Sequence, residues 1–274
     1  MTFSRIAIFY NAHKPQNYLL AEQACTWLRN KNVQTELITS LDNLEQKDLL
    51  ICMGGDGTIL HCARDTAKYN LPIFGVNCGT LGFLAACEKT DLTTALNELL
   101  KGNFQEQART MLDIQVSFPS GDTQKHTALN DCVLRAEKPR ALTIEANFDK
   151  RPIPPYFGDG VLVSTPTGST AYSLAAGGPI ITPGVDVLLV TPICPHTLNQ
   201  RPLILPKDGL LELHPVLKTP LDGSCLSIDG QINLSLPPGS AVAISISPVK
   251  ARLLTMPERD FFFMLNRKLN WGSR

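Results

Sequence analysis

Leu49-Leu50-Ile51-Cys52-Met53-Gly54-Gly55-Asp56-Gly57-Thr58 joins a short apolar run to a glycine-rich turn carrying one carboxylate. Five apolar residues closed by turn residues have the length of a strand buried on both faces. The glycines predict a tight turn, with a helix opening at about residues 58–60 and running to about 69. Bare backbone amides at such a strand-to-helix junction hold anionic oxygens. An aspartate among them repels phosphate unless a metal ion, or a hydroxyl to be deprotonated, sits there too. That combination points to phosphoryl transfer. The plain alternative is a turn in which Asp56 caps the next helix. Neither GxxxxGKS nor GxxxxGKT occurs, and no GxGxxG follows the first strand, so the P-loop and the usual dinucleotide fingerprint are both excluded.

Outward from this junction the first hundred residues alternate. Residues 6–10, 33–38 and 72–76 read as strands. Residues 16–30 place Leu19, Leu20, Ala24, Trp27 and Leu28 at helical spacing, and 91–101 do the same with Leu92, Ala95, Leu96, Leu99 and Leu100. Strand–helix alternation implies parallel pairing and an α/β layer. After Gly102 the texture changes. Short β-like runs at 114–118, 127–134, 142–148, 160–164, 187–190, 210–213, 241–246 and 252–256 are separated by turn residues. Most of the chain's 20 prolines fall in this part. The expected architecture is an α/β domain over 1–101 and a β-rich domain, layered sheets or a sandwich, over 102–256. A C-terminal helix within 257–274 is expected to pack back on the first domain.

Lys plus Arg and Asp plus Glu both number 25, so the net charge is zero and nothing suggests a general nucleic-acid or membrane-surface binder. No apolar run approaches the roughly 18 residues of a membrane span, and residues 1–10 read as a first strand rather than a signal peptide. Eight cysteines stand singly, with no CxxC pair and no zinc spacing, as expected of buried thiols in a reducing cytoplasm. His13, His126, His196 and His214 are scattered and read as structural or exposed. Trp27 and Trp271 suit helix packing.

A second island starts at Gly158-Asp159-Gly160. It continues through Val161-Leu162-Val163 into Ser164-Thr165-Pro166-Thr167-Gly168-Ser169-Thr170-Ala171-Tyr172-Ser173 and then Leu174-Ala175-Ala176-Gly177-Gly178-Pro179. Seven hydroxyls in ten residues, with small neighbours and no charge, suit a flat adenine–ribose group read by hydroxyls. A Ser/Thr-rich surface loop is the bland alternative. Leu129-Asn130-Asp131-Cys132 sets a polar pair among strand residues. An amide beside a carboxylate offers ribose hydroxyls both donor and acceptor, and a β-turn is the equal alternative.

Together these stretches resemble the NAD kinase family. The resemblance runs through nearly the whole chain and is most specific over 158–180. GGDGT alone is shared with phosphofructokinases and with diacylglycerol and sphingosine kinases. The resemblance implies that Asp56 orients and deprotonates the 2′-hydroxyl of the adenosine ribose of NAD. It implies that Gly54, Gly55, Gly57 and Thr58 meet the phosphate donor, ATP or polyphosphate. Asn130 and Asp131 would hold the NAD ribose, and Asp159 would lie by the nicotinamide end. Thr170, Ala171, Tyr172, Ser173, Leu174 and Ala175 would line the adenine pocket, and His61 and Gln231 would match further contacts. A divalent cation, magnesium above all, is expected on the donor phosphates without a protein metal cage, because the site shows few cationic side chains. Self-association into a homodimer or homotetramer is implied as well. Two departures stand out. Asp131 occupies a position where many members carry glutamate. Phe157 stands where a basic residue often precedes Gly-Asp-Gly, with Lys150, Arg151 or a second subunit as replacements. Two rivals remain open, a lipid or sugar-phosphate kinase sharing GGDGT and a non-catalytic NAD or NADP sensor.

Overall fold

The computed structural model describes residues 3–12, 14–217 and 223–270. His13 and Trp271 lie outside the described residues. The described chain up to Arg109, together with that from Lys250 onward, forms one compact unit, and Thr110–Val249 forms a second.

The first unit is built on one seven-stranded sheet. Its order is Gln34–Ile38, Arg5–Tyr10, Leu49–Gly54, Ile73–Asn77, Ala251–Thr255, Gln105–Arg109, with Cys87–Glu88 also paired to Ile73–Asn77. All pairings are parallel except the last on the main path, Ala251–Thr255 with Gln105–Arg109. The strand Leu49–Gly54 is buried at every position, as its unbroken apolar run predicts. Helices Gln16–Arg29 and Leu92–Lys101 give Ala21, Ala24, Leu28, Leu96 and Leu99 to a core with Ile6, Ile8, Leu49 and Ile51. Alternation turns Cys52 to the opposite face, where Cys62 of helix Asp56–Thr66 lies 3.4 Å from it, sulfur to sulfur. The helix begins at Asp56, two residues earlier than its sequence signal.

Residues 105–109 and 251–255, expected in the β-rich domain, lie in the first unit. Gln105–Arg109 reads QEQAR and buries only Arg109, so it carries no apolar alternation. Its pairing with Ala251–Thr255 holds it, reinforced by a two-pronged ion pair from Arg252 to Glu106 at 2.6 and 2.7 Å. The last helix, Phe261–Leu269, belongs to this unit. Asp260 caps it by accepting from the Phe263 amide at 2.7 Å.

The second unit is a sandwich of two six-stranded antiparallel sheets. One runs Arg151–Gly158, Leu142–Phe148, Leu211–Val216, Ala241–Ile246, Leu112–Ser117, Thr123–Ala128. The other runs Leu203–Pro206, Val187–Ile193, Gly160–Ser164, Asp131–Ala136, Ser224–Ile228, Ile232–Leu236. Ile114, Ile144, Leu213 and Ile244 from the first meet Leu134, Val163, Val190 and Leu226 from the second in one core.

Four strands of this unit escape the sequence pattern. Arg151–Gly158 contains Pro152, Pro154 and Pro155, yet it is an edge strand, where a missing N–H on the open side breaks no ladder bond. Asp149 and Lys150, both at positive φ, make the two-residue hairpin turn that leads into it. Strands Leu203–Pro206, Ser224–Ile228 and Ile232–Leu236 are short and only partly buried. The single strand expected over 127–134 is two, Thr123–Ala128 and Asp131–Ala136, interrupted at Leu129-Asn130. Cys25, Cys52, Cys62, Cys87 and Cys132 are buried as expected, whereas Cys194 is exposed. No described helix is long and apolar enough to cross a membrane.

Candidate active site

In the first unit the chain leaves Arg5–Tyr10 for one neighbour, Gln34–Ile38, and returns on the other side as Leu49–Gly54. The carboxyl ends of two such strands part at a topological switch point, where open parallel sheets bind ligands. A cleft of about 330 Å³ lies there, lined by Lys14, Gln16, Asn17, Gly54, Gly55, Asp56, residues 78–82 and Lys268.

Asp56 opens helix Asp56–Thr66, with Gly55 at the N-cap and no side chain capping the turn. The Asp56 carboxylate accepts hydrogen bonds from the main-chain amides of Phe83 at 2.8 Å and Leu84 at 3.1 Å. It is therefore aimed by a loop and does not cap its own helix. Gly82 makes room for it, because a Cβ there would run into the carboxylate. The glycines of GGDGT divide their work. A Cβ on Gly54 would strike the Thr58 side chain, so Gly54 seats the helix on the strand, while Gly55 has open space beside it. Gly57 and Thr58 do not line the cleft. Two lysines do, which corrects the expectation of a site poor in cations. Lys268 reaches in from the last helix and donates to the Leu81 carbonyl. Asn17 is buried and donates to the Met53 carbonyl at 3.3 Å. His61 lies elsewhere on its helix, half-exposed, 3.4 Å from Asp65 and edge-on to Phe9.

The second unit has its own hollow of about 390 Å³, lined by Asn130, Asp131, Val133, Arg135, Ala171, Tyr172, Ser227, Asp229 and Gly230. Its floor is the sandwich face away from the core. Asp229, held at positive φ, accepts from the amides of Leu129, Asn130 and Asp131 at 3.0, 2.8 and 3.1 Å. Those bonds interrupt the expected single strand and turn Asp131 into the hollow. Asp131 is buried, and burial first, then the nearby Asp229 charge, pushes its carboxyl up to about 7. On the next strand Ser164 pairs with Asp131, and its buried hydroxyl has no hydrogen-bond partner among the described residues.

The hydroxyl-rich run serves largely to build its own loop. Thr165 donates to the Leu129 carbonyl at 2.6 Å and Ser169 to the Pro166 carbonyl at 2.6 Å. Thr170 donates to the Thr167 carbonyl at 3.1 Å, and Ser173 shares a bond with Thr191 at 2.9 Å. Gly168 packs so closely on the Asn130 backbone that a Cβ would collide with it. Of the residues expected around adenine, Ala171 and Tyr172 line the hollow, while Thr170, Ser173, Leu174 and Ala175 do not. Asp159 and Gln231 are exposed and lie outside it. Phe157 stacks edge-on against His196 at 5.1 Å. Lys150 and Arg151 sit at the exposed hairpin. Arg135 is the cation lining the hollow, and it had no motif to mark it.

The family model for the ATP-NAD kinase N-terminal domain matches residues 30–104, and that for the C-terminal domain matches 129–256. The NAD kinase of Geotalea daltonii is 35% identical over 98% of this chain and 99% of its own. That of Heliobacterium modesticaldum is 36% identical over 97% and 99%. The chain belongs to the NAD kinase family. The reaction of an NAD kinase is phosphoryl transfer, and this chain is a phosphotransferase of that kind. Two solved NAD kinase folds superpose on it. Yeast NADH kinase complexed with NADH gives a TM-score of 0.89 at 24% identity, covering 100% of this chain and 89% of that one. An NAD kinase from Archaeoglobus fulgidus in complex with ATP gives 0.76 at 22%, covering 98% and 100%. Both likenesses concern the fold. They agree with an α/β unit followed by a β-rich one, as the NAD kinase motifs predict.

Proposed function

We propose that the chain transfers the γ-phosphoryl group of ATP to the 2′-hydroxyl of the adenosine ribose of NAD, giving NADP and ADP, with Asp56 as general base. The observation that carries this reading is the Asp56 carboxylate, fixed by two main-chain amides at a switch-point cleft. Each of its oxygens keeps a free lone pair, so it has capacity for a ribose hydroxyl and its proton. Positioning and charge stabilisation supply most of such a transfer, and a general base adds about 10²–10⁴-fold.

Gly55 and Lys14 serve the donor, with Gly54 holding the helix in place. Asn130 and Asp131 take ribose hydroxyls, and Ala171 and Tyr172 flank the base. Arg135, rather than Lys150 or Arg151, supplies the cation for a dinucleotide phosphate in place of a basic residue at Phe157. Among the described residues no three His, Cys, Asp or Glu side chains gather as a metal cage, and Asp56 is the one carboxylate lining the cleft. A divalent cation, magnesium in our reading, fits there as one carried on the donor phosphates with Asp56 at hand. When bound, it neutralises phosphate charge. The reading includes a cytoplasmic location and self-association, for which exposed Phe262 and Leu198 offer apolar area.

The test offers Mg-ATP with NAD, diacylglycerol or fructose 6-phosphate to wild type and to Asp56→Asn. Product is expected only with NAD and wild type, and it should serve an NADP-specific dehydrogenase. Faster phosphorylation of the lipid or sugar overturns the acceptor. Asp56→Asn activity within about tenfold of wild type removes Asp56 from the base role.

A further inference from the structure

We propose that Lys268 is a ligand of the donor's phosphates and that the same ammonium, through Leu81, positions the loop that orients Asp56. The inference rests on the reading that the switch-point cleft takes the donor.

Lys268 stands in the last turn of helix Phe261–Leu269, 187 residues from the loop it touches. It lines the cleft with Lys14 and Asp56. It donates to the Leu81 carbonyl, and its ammonium lies 5.9 Å from the centre of the Phe83 ring. The next links are the Phe83 and Leu84 amides, which hold the Asp56 carboxylate. One ammonium thus grips the carbonyl side of a loop whose amide side aims the base.

Charge explains why a cation is needed at this point. A nucleoside triphosphate, even with a divalent cation on its phosphates, brings net negative charge to a cleft that already holds Asp56, and Lys14 alone does not balance it. An ammonium has three donors. The Leu81 carbonyl uses one, leaving two for phosphate oxygens. The contact with Leu81 restricts the flexible side chain before the donor arrives, so less freedom is lost on binding.

Inorganic tripolyphosphate probes the phosphate site without turnover, with binding followed by calorimetry. Lys268→Gln keeps a hydrogen-bond donor for Leu81 but loses the charge. Its dissociation constant for tripolyphosphate is expected to rise at least about tenfold, while Lys268→Arg stays within about threefold. In turnover, Lys268→Gln should raise KM for ATP and leave KM for NAD unchanged. Lys268→Met, which loses the tether too, should also lower kcat. Unchanged tripolyphosphate affinity in Lys268→Gln overturns the inference. So does a loss of about tenfold or more in Lys268→Arg, measured against wild type, which decides the matter even if the glutamine variant fails to fold. Wild type that binds no tripolyphosphate overturns it as well. Wild type that binds tripolyphosphate but makes no NADP sinks the functional reading instead, and the binding series still judges Lys268.

Discussion

Asp131 shows only 6% of its surface to solvent, and no hydrogen bond reaches its carboxylate among the described residues. Asp229, its neighbour, is equally buried but satisfied by three amides. The two acids therefore do different work, one structural and one held open. With its carboxyl pushed up to about 7, native Asp131 keeps a proton that the unfolded chain has already released near pH 4. Its favourable share of stability is complete below the unfolded value and is lost as pH rises to about 7. Asp131→Asn has no proton to lose, so its melting temperature should exceed that of wild type at pH 8. The gain should be roughly 2–4 °C per kcal/mol recovered, and it should vanish near pH 4. On the proposed assignment of Asp131 to the ribose, the same titration acts on the acceptor. Ribose hydroxyls donate best to the ionised form, so KM for NAD should rise as pH falls below 7 in wild type, with a higher and flat value in the variant. Melts that coincide at both pH values would sink this account of Asp131.

At the scale of elements, the loop over residues 78–84 decides how GGDGT is used. The turn and its helix are legible from glycines and apolar spacing, because both are local preferences. The partner of Asp56 is not, because Phe83 and Leu84 contribute only main-chain amides, which carry no side-chain signature. Gly82 is the sequence trace of that contact. Gly82→Ala should push the carboxylate off its amides. A displacement on the order of 1 Å at a reacting group can cost about 10²-fold. We expect kcat to fall by about that factor, with the binding of NAD and ATP little changed and the melt close to wild type. Wild-type kcat in Gly82→Ala would mean that the Asp56–loop contact is irrelevant to turnover. The same logic covers strand Arg151–Gly158, whose prolines hide a strand that an edge position tolerates.

Across the whole molecule, the functional reading divides labour between an α/β unit and a β-sandwich. Hydrogen exchange can test the division. ATP is expected to slow exchange over residues 54–58 and 79–84. NAD is expected to slow it over 129–135 and 165–173, with Asp56 responding to both. Protection by NAD confined to the first unit would falsify the assignment of the ribose to Asn130 and Asp131.

The family, the strand–turn–helix of GGDGT, the α/β start and the β-rich second part were all written in the chain order. Each rests on local periodicity or a contiguous motif, and a buried strand, a glycine turn or a hydroxyl-rich run declares itself within a few residues. Tertiary structure alone decided which hydroxyls were spent inside the loop and which of two acids was left open. It alone drew residues 105–109 and 251–255 into the first sheet and brought Lys14, Lys268 and Arg135 to the two hollows. Those outcomes depend on contacts between distant residues, where a carbonyl, an amide or an ordinary surface lysine acquires its role only from what folds against it.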